Sequence, residues 1–202
     1  MTQSSKIEDR AERGRQPAAA EKILDVARDL FYRQGIRAIG VEEIVRTAGV
    51  AKPSLYRAFS SKDELAASYL RRYDREFWER FDEAVVAHPG DPRAQILAFL
   101  TRVGKRTQTP SYRGCGMTNA AVEYPEPDHP ARKVSEDNKR ELRRRLRAMA
   151  HDMNAADADT LGDGLLLLIE GAYISGQLFG TGGPAQSVAR NAELLIDASL
   201  KR

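Results

Sequence analysis

Apolar residues recur at helical spacing along most of this chain. From Ala18 onward they fall three and four positions apart, the pattern of a helix that buries one face. Shorter stretches of the same kind cover residues 41–48 and 52–59, and Ser61 followed by Glu64 forms a capping box that predicts the start of a long helix. No stretch alternates apolar and polar side chains for long enough to predict a strand. We therefore predict an all-α fold with about nine helices.

The pattern also divides the chain into parts. Residues 1–16 are polar and charged without apolar periodicity, so we expect a disordered arm there. Residues 17–62 hold three helices of a compact N-terminal domain, and residues 63–202 hold the longer helices of a second domain. Proline and glycine interrupt residues 109–130, where a short helix near 117–124 is expected. The last two helices are predicted at about 157–179 and 184–200, on either side of a glycine-rich turn.

The net charge of +3 on 202 residues is unremarkable until it is located. Residues 1–60 carry eleven Lys and Arg against eight Asp and Glu, whereas the remainder carries 21 of each. Residues 44–62 contain four basic side chains and no acidic one. A local basic surface of this kind is what contact with nucleic acid phosphates requires. Charge alone leaves open a chance fluctuation on a solvated face.

The acid-free window coincides with a predicted helix-turn-helix. Gly49 supplies the turn, Val50 fills the gap between the two helices, and Leu55 and Phe59 anchor the second helix to the core. The remaining face of that helix points outward, where it can reach phosphates and base edges in a major groove. That face comprises Lys52, Ser54, Tyr56, Arg57 and Ala58. The alternative is that the two helices are ordinary packing in an all-α protein.

The string IVRTAGVAKPSLYRAF at residues 44–59, followed by SKDEL at 61–65, resembles the TetR family of transcriptional regulators. The resemblance is close from Ala18 to about Leu65 and is one of architecture beyond. It implies an N-terminal helix-turn-helix DNA-binding domain and a C-terminal helical domain that binds a ligand and dimerises. It further implies phosphate contacts from Tyr56 and Lys62. The residues implied to contact DNA are Lys52, Pro53, Ser54, Tyr56, Arg57 and Lys62.

Two positions depart from the family pattern. Ile39 and Gly40 stand where a threonine usually precedes the second helix, so a side-chain cap and phosphate contact are lost. Ala58 stands where a histidine is common. We expect neither Ile39 nor Ala58 to contact DNA. Glu42 could accept a hydrogen bond from cytosine or repel phosphate, and we favour simple solvent exposure.

The two C-terminal helices are apolar over much of their surface. Glycines at 162, 164 and 171 favour close approach between helices, and together the helices predict a four-helix dimer interface. The alternative is that both helices bury in the core of their own subunit. We expect the interface to be formed by Leu165, Leu168, Ala172, Val188, Ala192 and Leu195. A dimer would place two recognition helices about 34 Å apart, one turn of a palindromic operator.

An apolar cavity for an unknown small-molecule effector is expected among the helices of the second domain. Its candidate lining is Tyr73, Phe77, Phe99, Val103, Met117 and Tyr173, with Leu146 as a further candidate. Apolar residues at helical spacing are equally consistent with a plain core. Cys115 is open to interpretation as a thiol sensor, although a small buried residue is the more favoured interpretation.

We predict a regulator, most simply a repressor, rather than an enzyme, with no metal and no cofactor. The competing hypothesis is a small helical enzyme using Glu123, Asp128, His129 or His151, which lack ligand spacing or a nucleophile motif. A DNA-binding protein without an effector is the third. The single cysteine excludes an internal disulfide, and the absence of a long apolar run or an apolar leader favours a soluble, cytoplasmic chain without membrane contact.

Overall fold

A computed structural model describes the backbone of residues 3–200 and the side chains of residues 18–200. Within that part of the chain the fold is all-α, as predicted, with one isolated bridge between Ala155 and Leu200 in place of any strand. The arm predicted to be disordered, residues 1–16, has no described side chains, but the backbone from Gln3 onward is placed in the first helix. The helices are α1 Gln3–Gln34, α2 Val41–Ala48, α3 Lys52–Ala58, α4 Lys62–Ala87, α5 Pro92–Arg106, α6 Gly116–Glu123, α7 Pro130–Asp152, α8 Ala158–Phe179 and α9 Val188–Ser199.

The first three helices form the predicted helix-turn-helix core. α1 packs against both α2 and α3, and Ala48 at the end of α2 is fully buried where the helices meet. The α2–α3 turn depends on Gly49, whose φ of 61° lies in the left-handed region. Leu55 is completely buried and Phe59 nearly so, as the spacing predicted. α3 is thereby held with its other side facing outward.

The described contacts divide the chain into two compact units. The first comprises Met1–Arg72 with Ala120–Val134, and the second comprises Tyr73–Asn119 with Ser135–Arg202. α4, α6 and α7 each have residues in both units. The first unit thus extends to residue 72, whereas the boundary predicted from the sequence lies after residue 62. It also includes residues 120–134, which the sequence placed in the second domain.

The second unit is built on α5, α8 and α9, which pack against one another. Its core includes an aromatic cluster in which the ring of Phe99 lies 5.8 Å from that of Phe77 and 4.9 Å from that of Phe81, edge to face in both cases. α8 approaches its neighbours closely at Gly176, where an added Cβ would lie 2.5 Å from the Cβ of Thr107. Only a residue without a side chain fits there.

Two details refine the predicted elements. The last helix was expected to begin at Pro184, but Pro184–Ser187 forms a 3-10 turn and α9 follows it. The short helix expected inside the proline-broken stretch is present as α6. No helix in the described residues is both long and apolar enough to cross a bilayer.

Candidate nucleic-acid interface

The outward face of α3 carries the side chains predicted to contact DNA. Lys52, Pro53, Tyr56 and Arg57 are exposed, and Ser54 is half-buried. Tyr56 is one of the large apolar side chains that remain exposed in the protomer, at about half its surface. Arg57 donates a hydrogen bond to the Ser54 hydroxyl, 3.1 Å away. The structure therefore presents a basic, hydrogen-bonding surface on the second helix of a helix-turn-helix.

Lys62 lies half-buried at the first residue of α4. Its Nζ donates to the backbone carbonyl of Arg37, 3.2 Å away. Burial lowers the pKa of Lys62 from its ordinary value, against the opposing effect of Asp63 and Glu123. The Ser61 half of the predicted capping box is confirmed, because the backbone N–H of Glu64 donates to the Ser61 hydroxyl at 3.1 Å, whereas the Glu64 carboxylate accepts from Ser68 and Arg71.

The side-chain cap predicted to be lost before α2 is absent, whereas the prediction that Ile39 and Ala58 make no DNA contact stays a prediction. Ile39 is buried, and Gly40, the residue that caps α2, makes no side-chain hydrogen bond. Ala58 is half-buried at the end of α3. Glu42 is exposed, but it is not simply solvated, because its Oε1 lies 2.5 Å from the Nζ of Lys52. Sequence reasoning did not pair these two residues, which lie on different helices.

A second feature that the sequence did not reveal is the packing of residues 120–134 within the N-terminal unit. The carboxylate of Glu123 accepts a hydrogen bond from the backbone N–H of Arg37 at 2.7 Å. Glu126 pairs with the Arg37 guanidinium at 3.3 Å, and that guanidinium lies over the ring of Tyr124. This segment therefore holds the loop between α1 and α2, the loop whose carbonyl receives Lys62.

The same segment also contacts the start of α4. The rings of Tyr124 and His129 stack with centroids 3.8 Å apart. The Nδ1 of His129 accepts from the Ala131 N–H, and its Nε2 lies 3.4 Å from a carboxylate oxygen of Asp63. Burial, with the carboxylates of Asp63 and Glu123, raises the pKa of Tyr124 to about 12. Tyr124 is therefore a neutral phenol at physiological pH.

The residues of the enzyme hypothesis have other partners. Glu123 and His129 belong to the contacts just described, and Asp128 is an exposed partner of Lys133 at 3.2 Å. His151 is largely exposed beside Asp152. Among the residues with described side chains, no group of three or more His, Cys, Asp or Glu could hold a metal ion. The described contacts of Glu123 and His129 are with the loop between α1 and α2 and with the start of α4.

Comparison with known proteins also indicates a helix-turn-helix DNA-binding domain in this chain. A sequence profile described as "Bacterial regulatory proteins, tetR family" matches residues 23–69. A putative TetR transcriptional regulator from Streptomyces avermitilis, of known structure, is 32% identical with a TM-score of 0.75, over 90% of this chain and 97% of that one. The chain belongs to the TetR family. The TetR-family regulator SCO4454 from Streptomyces coelicolor has a TM-score of 0.83 at 27% identity, over 91% and 96% of the two chains.

Two curated relatives of this TetR-family chain match half of it or less. The HTH-type transcriptional repressor KstR2 from Rhodococcus jostii is 35% identical over 101 residues, which are 50% of this chain and 45% of the repressor. An uncharacterised HTH-type regulator from Mycobacterium tuberculosis is 33% identical over 87 residues, or 41% of each chain. The chain thus spans less than half the length of these relatives.

The residues predicted to line an effector cavity are all buried in the second unit. They are Tyr73, Phe77, Phe99, Val103, Met117 and Tyr173. Phe77 and Phe99 are brought into contact, and Tyr73 receives a hydrogen bond from Arg106 at 3.4 Å. Leu146 is buried as well. Their burial is consistent with either a core or a pocket lining, so the cavity stays a prediction.

A charged cluster that the sequence did not predict lies in the same unit. The Nζ of Lys139 is 2.6 Å from Glu170 and 3.5 Å from the sulfur of Cys115, and it lies over the ring of Tyr173. Thr118 also donates to Glu170, at 2.7 Å. Burial alone would lower the pKa of Lys139, but Cys115 and Glu170 raise it above its ordinary value, so the ammonium stays charged. Cys115 itself is a buried free thiol.

This cluster carries a testable stability contribution. Lys139→Met leaves the mostly buried Glu170 carboxylate without its cation, so we expect the free energy of unfolding to fall by about 1–3 kcal/mol. Lys133 is the matched control on α7, because its partner Asp128 is almost fully exposed. Lys133→Met should change stability by less than about 0.5 kcal/mol. Urea unfolding of both variants measures the difference, and equal effects would contradict a special role for Lys139.

The structure corrects the predicted dimer-facing residues. Leu165, Ala172, Val188 and Ala192 are buried inside the protomer, so that prediction was wrong for these four, and Leu168 and Leu195 are half-buried. α8 is apolar on both sides, and its periodicity cannot show which side meets its own core. The large apolar side chains that remain at least half exposed on α8 and α9 are Leu167, Ile174, Leu178, Phe179 and Leu194.

Proposed function

We propose that this chain is a cytoplasmic transcriptional regulator that binds a palindromic operator as a homodimer and is released by a small-molecule effector. The observation that carries the proposal is the exposed face of α3, where Lys52, Tyr56 and Arg57 stand outward from a helix-turn-helix. Repression is the favoured direction, because KstR2 and the Escherichia coli relative NemR are both named repressors.

Dimerisation is supported by the exposed apolar face of α8. Leu167, Gly171, Ile174 and Leu178 follow one another at spacings of four, three and four residues, so they share one side of the helix. A Cβ added at Gly171 would meet nothing within 4 Å in the protomer. Contiguous exposed apolar surface of this kind marks an interaction site. We assign it, with Leu194 of α9, to a second copy of the chain.

Effector release requires that a ligand of the second unit change the first. α4, α6 and α7 can transmit such a change, because each is a continuous helix with residues in both units. Glu123, at the end of α6, accepts a hydrogen bond from Arg37 in the loop between α1 and α2. Lys62 lies at the start of α4 and donates to the carbonyl of the same residue. A displacement of either helix would move a predicted phosphate contact. An effector that binds the displaced state more tightly then lowers operator affinity.

Operator binding should depend on Lys62 and Tyr56 in different ways. Lys62→Ala removes one cation per subunit, so we expect weaker binding and a salt dependence of log K shallower by about 2 per dimer. Tyr56→Ala removes a neutral contact, so we expect weaker binding with nearly the same salt dependence. Fluorescence anisotropy against a selected operator at several salt concentrations measures both.

The control for these variants is Lys105→Ala, since Lys105 is an exposed lysine of α5 in the second unit. Its removal should leave operator affinity unchanged within about twofold, because it lies outside the proposed interface. Thermal unfolding of each variant excludes loss of the fold. Salt-insensitive binding by the wild-type chain, or no binding to any duplex of operator length, would refute the proposed function.

A further inference from the structure

The ion pair between Glu42 and Lys52 joins the two helices of the helix-turn-helix. Glu42 lies in the first turn of α2, and Lys52 is the first residue of α3. Their side chains are 74% and 50% exposed, so the pair is fully accessible from outside. In helix-turn-helix proteins the N-terminal residues of the second helix contact base edges. The pair therefore stands where a base pair would be read.

The two side chains have opposite hydrogen-bonding capacity. A lysine ammonium only donates, and an ionised carboxylate only accepts. The nearby Lys52 lowers the pKa of Glu42, and Glu42 raises the pKa of Lys52, so both remain charged at physiological pH. Side by side, at 2.5 Å, they present a donor beside an acceptor.

A G·C base pair has the complementary pattern in its major-groove edge. Guanine offers two adjacent acceptors, N7 and O6, and the N4 amino group of cytosine offers a donor beside them. In an A·T pair the single donor lies between two acceptors, so a carboxylate directed at it meets an acceptor on either side. The geometry of the pair therefore favours G·C.

Energetic considerations point the same way. An exposed ion pair contributes little to stability, so Glu42 and Lys52 can separate slightly to admit base edges. An acidic side chain facing DNA would by itself weaken binding to every sequence through repulsion of phosphates. Lys52 offsets that charge, and the pair as a whole approaches DNA as a neutral group. With its charge offset by Lys52, the Glu42 carboxylate can contribute selectivity for one base pair.

We propose that Glu42 and Lys52 together read one G·C base pair in each operator half-site. Lys52 donates to guanine, and Glu42 accepts from the N4 amino group of cytosine. This inference rests on the proposed function and adds to it a base-pair preference and the two side chains that produce it.

The test begins with a pool of DNA duplexes carrying a randomised central region, selected in parallel with the wild-type chain and with Glu42→Gln. The wild type should enrich a palindromic motif with an invariant G·C pair in each half. The Glu42→Gln selection should lose the preference at that pair alone. Glu43→Gln is the matched control, because it removes the same charge from the next residue of α2 and should return the wild-type motif.

Affinity measurements make the expectation quantitative. Replacing the G·C pair by A·T in both half-sites should weaken wild-type binding by about 25-fold or more, at roughly fivefold per half-site. The same replacement should change Glu42→Gln binding by less than about threefold. N4-methylcytosine at that position, which places a methyl group where the major-groove hydrogen would be, should weaken the wild type but not Glu42→Gln.

Other outcomes overturn the inference. Tighter binding of Glu42→Gln to every duplex, with a steeper salt dependence and an unchanged motif, would mean that Glu42 only repels phosphate. A Glu42-dependent preference for A·T would contradict the assigned base pair. A motif independent of both residues would refute this inference while leaving the proposed function intact. Failure of the wild-type chain to enrich any duplex would instead refute the proposed function itself.

Discussion

Phe99→Ala is expected to lower the free energy of unfolding by about 3–5 kcal/mol, the usual range for removing a buried aromatic side chain. Phe99 is almost completely buried, and its ring contacts those of Phe77 and Phe81. Removing the Phe99 ring creates a cavity and eliminates two edge-to-face aromatic contacts. Urea unfolding monitored by circular dichroism measures the change.

The size of this effect distinguishes a core residue from a pocket lining. Phe99→Leu retains most of the apolar volume and should cost less than half as much as Phe99→Ala. If Phe99 faces an empty cavity instead, its removal should cost less than about 1 kcal/mol, because few packing contacts would be lost. That result would contradict the packed aromatic core and favour the effector-lining hypothesis at this position.

The double substitution Leu167→Glu with Leu178→Glu is expected to give a folded monomer. Both side chains are exposed in the protomer, so charge there should leave the fold intact while repelling a second apolar face. A monomer binds only one half-site, so affinity for a palindromic operator should fall by about 100-fold or more. Sedimentation velocity measures the mass, and fluorescence anisotropy measures the affinity.

Val86→Glu provides the control for this experiment. Val86 is as exposed as Leu167 and Leu178, but it lies near the end of α4 rather than on α8 or α9. It should remain dimeric with unchanged operator affinity. A dimer that survives the double substitution would show that copies of the chain meet through another surface.

The helices were predictable because helix periodicity and capping are local. The start of α4 follows from Ser61, whose hydroxyl accepts a hydrogen bond from the backbone N–H of Glu64 within four residues of chain. The helix-turn-helix was predictable for the same reason, since Gly49, Leu55 and Phe59 set its turn and its buried side within eleven residues. Its outward-facing residues were then the ones left over.

Contacts between segments far apart in the chain had no comparable pattern in the sequence that would predict them. The bond from Arg37 to Glu123 spans 86 residues, and that from Lys139 to Glu170 spans 31. Charged residues are frequent on helix surfaces, so no spacing pattern singles out these partners. The choice of the wrong side of α8 has a related cause: the helix is apolar on both sides, and the packing of its neighbours, α5, α7 and α9 among them, decides which side remains exposed.

The sequence by itself determined the all-α class, most of the helix boundaries, the helix-turn-helix and the side of α3 that faces outward, because each depends on residues within a few turns of one another. Only the tertiary structure decided that residues 120–134 pack with the N-terminal unit, that Lys52 pairs with Glu42, and that Leu167, Ile174 and Leu178 form the exposed face of α8. These features depend on which helices meet, and that choice follows from the packing of the whole core rather than from the pattern of any one segment.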